Sequence, residues 1–317
     1  MLNFLDLKIK NFCLDINESS LKVVEIEMKK KSFSLLFSNE LKINPGIIKD
    51  GIIQDQTLLT EAIKQVCKKA KGEKASANYA VVCLPEDESF LQVIQMPKMS
   101  EDELKMAVAL EVENYIPLPM DQVYFDFQVI PPINDGLDHL DILIVAMSKK
   151  IIDSYVLCIK NAGIIPIAIE IESQSIARSL IKNKTSDSPV ALIDFDSDKM
   201  DLIIFSGNSV RFTASVPFVF ENLITEIEKY VGFYKEHASH EHIPGESAIK
   251  KIILCGKADN LQKIATLISE KTGIKSEVGE PFINFPKQIN SRGQMEDPLN
   301  FTAALGLALK KITFIND

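Results

Sequence analysis

Two stretches of this chain, residues 12–27 (FCLDINESSLKVVEIE) and 190–205 (VALIDFDSDKMDLIIF), follow one pattern. Each is an apolar run that stops at an aspartate, Asp15 or Asp194, turns through polar residues and resumes as a second apolar run. Superposing the two acids places Leu202, Ile203 and Phe205 on Val23, Val24 and Ile26, and a third strand-like run and a helix follow in both copies. An internal duplication constrains a fold more than any single motif, because each copy must bury its own apolar faces. It predicts two similar α/β lobes with a cleft between them. Each lobe would present its acid at a strand end on the cleft wall, where α/β sheets bind ligands.

The rest of the chain fits this division. The opening reads as three strands joined by tight turns, then Pro45 and Gly46 break the pattern and Asp55 caps a helix running to about residue 71. NYAVVCLP is a short strand apolar on both faces. Residues 89–163 read as strand, helix, strand, strand, helix: a small βαββα module inserted into the first lobe, whose core is 1–88 and 164–187. Its first helix opens with a Ser100/Glu103 capping box, has Leu104, Ala107, Val108, Leu110 and Val112 as its core stripe, and stops before the prolines of IPLPMD. The second lobe, 188–317, holds the repeat, a helix over about 221–236, the strand KKIILCG, a helix over 260–272 and a small-residue helix FTAALGLALKK. The first lobe closes with a strand over 164–171 and a helix over 172–184, and the polar NFPKQINSRGQMEDPL is expected to be disordered.

Charge and cysteine usage exclude several functions. A net charge of -9 leaves no basic excess for nucleic acid. Cys13, Cys67, Cys83, Cys158 and Cys255 are widely spaced and sit mostly in apolar runs, as reduced core residues of a cytosolic protein do. No apolar run reaches the ~18 residues of a membrane span, and no secretory signal opens the chain. MLNFLDLKIK reads as a terminus or edge strand rather than an interfacial helix. His237, His240 and His242 fall in a polar segment with no cysteine at ligand spacing and read as a solvated loop, not a zinc site. No GxSxG elbow supports serine catalysis.

The duplicated hairpins resemble the actin-like ATPase superfamily (a ribonuclease H-like two-lobed fold). With NYIPLPMDQVYFDFQV, DSYVLCIKNAGIIPIAIEIES, GFYKEHAS and FTAALGLALK, the chain looks most like the PilM family of type IV pilus assembly proteins over nearly its whole length. The resemblance implies that Asp15 and Asp194 hold a water-bound Mg²⁺ at the phosphates of ATP. The turn Asn17 to Ser20, with Ser19 between, would meet phosphate oxygens, Lys22 would add a positive charge, and Gly256 would belong to the adenosine loop. It also implies a cytoplasmic scaffold, peripheral to the inner membrane through its partners, that receives the cytoplasmic tail of a PilN-like membrane protein at the inserted module. Tyr115, Pro117 and Pro119 would lie near the groove, and other pilus platform proteins would be further partners.

The chain departs from the pattern where glycine matters. Asn17 and Asp196 stand two residues after the aspartates, Val219 and Phe220 replace a glycine pair, and LCGKADNL keeps Gly256 alone. A carboxylate at about 4 Å from a phosphate charge costs roughly 1 kcal/mol in water and about 4 at an effective dielectric of 20. Asp196, with Asp198 close behind, therefore predicts weakened or lost nucleotide binding and a scaffold without catalysis. The alternatives are an active ATPase or sugar-kinase relative and a filament-forming, FtsA-like division protein.

Overall fold

The computed structural model describes residues 10–29, 31–68, 75, 77–132, 138–238, 248–288 and 295–316, the last helix with side chains as far as Lys310. His240, His242, residues 1–9 of the opening stretch and 289–294 of the polar loop lie outside the described residues.

The first sheet is built from β1 (Asn11–Ile16), β2 (Ser20–Lys29), β3 (Ser32–Lys42), β6 (Tyr79–Leu84), β10 (Ile165–Ile171) and β16 (Lys287–Gln288), in the order β10-β6-β1-β2-β3-β16. The second is built from β11 (Ser186–Phe195), β12 (Lys199–Gly207), β13 (Ser209–Pro217), β14 (Lys251–Gly256) and β15 (Lys275–Val278), in the order β13-β12-β11-β14-β15. A minor ribbon pairs β4 (Ile48–Lys49) with β5 (Ile52–Ile53). The duplication holds to the residue. Asp15 pairs with Lys22 across one hairpin and with Cys83 on the parallel neighbour; Asp194 pairs with Asp201 and with Cys255 in the same way. The turns match too, Asn17 N donating to Ser20 O at 3.0 Å and Asp196 N to Lys199 O at 2.9 Å.

Both sheets are apolar on two faces, so helices must cover each side. Leu14, Val23 and Val82 of the first sheet pack with Leu59 and Ile63 of α1 (Gln56–Lys68) and Tyr155 and Ile159 of α3 (Lys149–Asn161), while Val24 and Val81 on its other face meet Ala304 and Leu305 of α7 (Thr302–Asn316). The second sheet has α5 (Leu223–Ala238) and α6 (Leu261–Thr272) outside and α4 (Glu172–Leu180) inside. The inner helices α4 and α7 cross at Gly306, where an added Cβ would lie 2.5 Å from the Ser175 carbonyl carbon and closer still to its oxygen. Only glycine permits that approach.

A third sheet, β7 (Ser89–Pro97), β9 (His139–Ser148) and β8 (Val123–Ile130) in the order β7-β9-β8, carries α2 (Glu101–Val112) on one face. The Ser100/Glu103 capping box is present.

Several expectations need correction. Leu110 is 70% exposed, because the buried stripe of α2 runs at i, i+4 and i+8 through Leu104, Val108 and Val112 and turns Leu110 to the opposite side. The helix expected to reach residue 184 stops at Leu180; Ile181 leaves helical geometry and Asn183 adopts φ 58. The helix expected to open at 221 begins at Leu223, after a single 3₁₀ turn. From the end of the helix over 260–272 to about residue 299 the sequence reads as mostly irregular, but β15 lies there and gives the second sheet its fifth strand. The polar part of that stretch is ordered at both described ends: Asn284 Nδ2 donates to Ile181 O at 2.6 Å and its Oδ1 accepts from Asn183 N at 2.8 Å, while Asp297 Oδ1 accepts from Leu299 N at 3.1 Å.

Candidate functional site

The hairpin tips of the two large sheets confront each other. Asp15 is buried, with Lys22 Nζ 3.6 Å from its Oδ2. Burial raises the Asp15 pKa against the opposing pull of Lys22. Burial also pushes the Asp194 carboxyl up to about 7, Lys22 opposing and the neighbouring Asp201 adding to the rise. Lys22 feels Asp15, Asp194, Asp196 and Glu172 together, and these outweigh its burial and hold its pKa above the ordinary lysine value. The bond of 2.6 Å from Ser19 Oγ to Asp196 Oδ1 joins the two hairpin tips, so Asp15 and Asp194 share one crevice, and the Lys22 ammonium feels the acids of both sheets.

Sequence reasoning missed several members of this crevice. Glu172, at the start of α4, accepts a bond from Asn17 Nδ2 at 3.2 Å, and burial beside Asp15 raises its pKa well above the usual carboxylate range. Lys199 donates to Asp87 at 2.8 Å; burial alone would lower its pKa, but Asp201, Glu172 and Asp87 raise it. Glu86, brought up to about 7 by burial, accepts from Ser173 N at 2.9 Å. Cys255 donates its thiol to Asp194 Oδ1 at 3.2 Å. Asp201 and Lys199 were recoverable from the sequence, since they occupy in the second copy the positions of Lys22 and Ser20. Glu86, Asp87 and Glu172 carry no local signal and arrive through tertiary contact.

The turns expected to meet phosphate bond to each other and within themselves. Ser19 Oγ donates to Asp196 Oδ1 at 2.6 Å, joining the two hairpin tips directly. Ser19 N donates to Asn17 Oδ1 at 3.1 Å and Asn17 N to Ser20 O, so two amides of this turn are engaged within it. Ser20 is buried at the foot of β2. Asp198, close behind Asp196 in the chain, is exposed. Gly256 holds φ +82, and a Cβ there would lie 2.6 Å from Phe195 N, so glycine is required by the close approach of β14 to β11. Val219 and Phe220 are both exposed, and Lys257 reaches Glu40 of the first sheet at 3.0 Å. Carboxylates suit a hard cation such as Mg²⁺. Asp15 Oδ1 and Asp196 Oδ2 are buried without a hydrogen-bond partner, but among the described residues no three acids, histidines or cysteines form a ligand set.

A second feature lies beside the C-terminal end of β10. A cavity of about 340 Å³ opens between β8 and β9 on one side and β10 and α4 on the other, walled by Tyr124, Phe127, Leu143, Val145 and Ile169. β8 and β10 each end their sheet, so each has an edge with no strand paired to it among the described residues. The floor is Glu170, gripped by Arg178 Nη1 and Nη2 at 2.5 and 3.0 Å, Lys310 at 2.7 Å and the Ser175 hydroxyl. Its charged bonds hold the Glu170 pKa below the usual carboxylate range although burial opposes them. Glu170 faces this cavity and Glu172 the crevice, so the β10–α4 junction touches both. Tyr115, Pro117 and Pro119 lie in the exposed segment between α2 and β8 and are not among the cavity's lining residues. His237, at the end of α5, is stacked on Phe233 at 4.0 Å.

Two lobes of matching strand order, each delivering an aspartate from a duplicated hairpin to a shared crevice, define an actin-like ATPase fold. The chain matches the model of the family described as type IV pilus assembly protein PilM over residues 13–247, and it belongs to that family. It is similar to the solved PilM-PilN type IV pilus biogenesis complex at 18% identity and a TM-score of 0.79, covering 96% of this chain and 99% of that one. The cytoplasmic domain of EpsL, an inner-membrane component of the Vibrio cholerae type II secretion system, matches at 10% identity and a TM-score of 0.51, over 95% of this chain and 94% of that one. The ethanolamine utilization protein EutJ of Carboxydothermus hydrogenoformans matches at 11% identity and 0.53, over 98% and 92%. At these identities the likeness concerns the fold.

Proposed function

We propose that this chain is a cytoplasmic adaptor of a type IV pilus machine that holds the N-terminal tail of a PilN-like inner-membrane protein. No helix among the described residues is long and apolar enough to cross a membrane, and the adaptor reaches the membrane through this partner and other platform proteins. The observation carrying the reading is the cavity between two strand edges to which no strand pairs among the described residues. An extended peptide laid there would gain main-chain hydrogen bonds from a strand edge and bury alternate side chains against Val145 and Ile169. The similar complex, whose components are PilM and PilN, fits the same reading. Residues 89–163, including Tyr115, Pro117 and Pro119, form the partner-binding module of the first lobe in this proposal.

The crevice has a structural or regulatory part here rather than a catalytic one. Ser19 and Asp196, in the turns that the resemblance assigns to phosphate, bond to each other, and Lys22 and Lys199 bring to Asp15 and Asp87 positive charge of the kind a nucleotide-bound cation would supply. Asp15 and Asp194 would hold any Mg²⁺ that enters with nucleotide. When bound, the cation would supply charge neutralisation to phosphates.

The test is titration of the full chain with a synthetic PilN-like N-terminal peptide, with and without Mg-ATP. Binding weakened about tenfold by Tyr124→Ala, an aromatic rim residue, is expected. Absence of binding in both conditions would overturn the adaptor reading, and Mg²⁺-dependent ATP turnover abolished by Asp15→Ala would overturn the assignment of the crevice.

A further inference from the structure

α2 is apolar on two opposite faces. Leu104, Val108 and Val112 pack on the three-stranded sheet with Ile142 and Ile144, while Met106 and Leu110 are 66% and 70% exposed on the far side. Helical spacing sets Asp102, Glu103 and Glu113 around these two side chains, and all three are exposed. Tyr115 and Leu118 add further exposed apolar surface just beyond the helix. A single outward Leu would need no explanation, but an i, i+4 pair of large apolar side chains set on one helix face forms a stripe. The tail-binding cavity is elsewhere: Leu143 and Val145 line it, and their alternates Ile142 and Ile144 lie under α2.

The charges choose the occupant. The cytoplasmic leaflet is anionic and would repel an acid-bordered stripe, which disfavours a lipid surface. Stacking the stripe on itself in a second copy would set Asp102, Glu103 and Glu113 against their own equivalents. A helix with apolar residues at i, i+3, i+4 and i+7, flanked by Lys or Arg, satisfies both the apolar and the acidic requirements.

We propose that the outer face of α2 docks a basic amphipathic helix of a partner protein, with Met106 and Leu110 as apolar anchors and Asp102, Glu103 and Glu113 as the charged rim. This rests on the membrane-machine reading above to the extent that cytoplasmic flanks of membrane spans, rich in Lys and Arg, are natural sources of such a helix.

The probe is a designed peptide of about 18 residues, roughly five turns, with Leu at the helical stripe and Lys elsewhere, compared with a counterpart bearing Glu for Lys. Fluorescence anisotropy with the full chain is expected to show binding of the Lys peptide that weakens at least tenfold in Met106→Ser/Leu110→Ser, while titration of the PilN-like peptide is unchanged. Equal binding of the Lys peptide by wild type and variant would reduce it to diffuse charge attraction and overturn the proposal, as would equal binding of the Glu peptide. Met106- and Leu110-dependent binding to anionic vesicles, or self-association lost in the double variant, would assign the face to a membrane or a second copy instead. Failure of the PilN-like peptide with retention of the Lys peptide would sink the tail-binding reading and leave this one standing.

Discussion

Replacing Asp196 by glycine tests what closes the crevice. In the free protein its carboxylate takes the Ser19 hydroxyl at 2.6 Å, and its second oxygen is buried without a hydrogen-bond partner. On the reading proposed above, a nucleotide entering the wild type must break that bond, worth about 1.5–3 kcal/mol when one partner is charged. It must also set phosphate beside a carboxylate, at a cost of about 4 kcal/mol at 4 Å and an effective dielectric of 20. Asp196→Gly removes both and lets the backbone approach without a Cβ. Even if half of the combined term is lost to relaxation and to Lys22, about 3 kcal/mol remains, which is roughly a hundredfold in affinity. The assay is isothermal titration of Mg-ATP into both proteins, with thermal melting of the unliganded forms alongside. The unliganded variant should melt earlier, since the bond between the hairpin tips is gone. An affinity within about threefold of wild type would refute the view that Asp196 is what excludes phosphate.

Asp194, whose pKa is about 7, is expected to drive a pH dependence. A carboxyl raised on folding above its ordinary value of about 3.9 destabilises the charged form, so stability falls as pH rises between about 4 and 7. Asp194→Asn should accordingly melt a few degrees higher at pH 8, match wild type near pH 4, and flatten the curve between; an unchanged slope would contradict the assignment. Gly306→Ala forces a methyl against the Ser175 carbonyl and should lower stability by about 1–3 kcal/mol or abolish soluble expression, read by chemical denaturation. Gly232, mid-helix in α5 with open space around its missing Cβ, is the converse: Gly232→Ala should stabilise by about 0.5–1 kcal/mol in the same measurement.

Residues near one another in the chain carried much of the fold. Asp15 and Asp194 are recognisable as strand-end acids because strand periodicity and polar turns are local, and the repeat makes their shared cleft legible in the sequence. Ser100 and Glu103 announced the start of α2 for the same reason. Local patterning failed where one helix had two candidate apolar faces. Leu104 and Leu110 look alike in sequence, and only the position of the three-stranded sheet decides that the first is core and the second solvent-facing.

By itself, then, the amino-acid order determined the elements, the doubled hairpins and the places where glycine is missing, since each depends on neighbours within a turn or two. The tertiary structure alone decided that Glu172 and Asp87 enter the crevice, that Ser19 bonds Asp196 from 177 residues away, and that β8 and β10 leave their edges open to one cavity. Such meetings depend on how separate sheets pack through α4 and α7. Packing of that kind is set by many weak contacts and one close glycine crossing rather than by any motif a reader can quote.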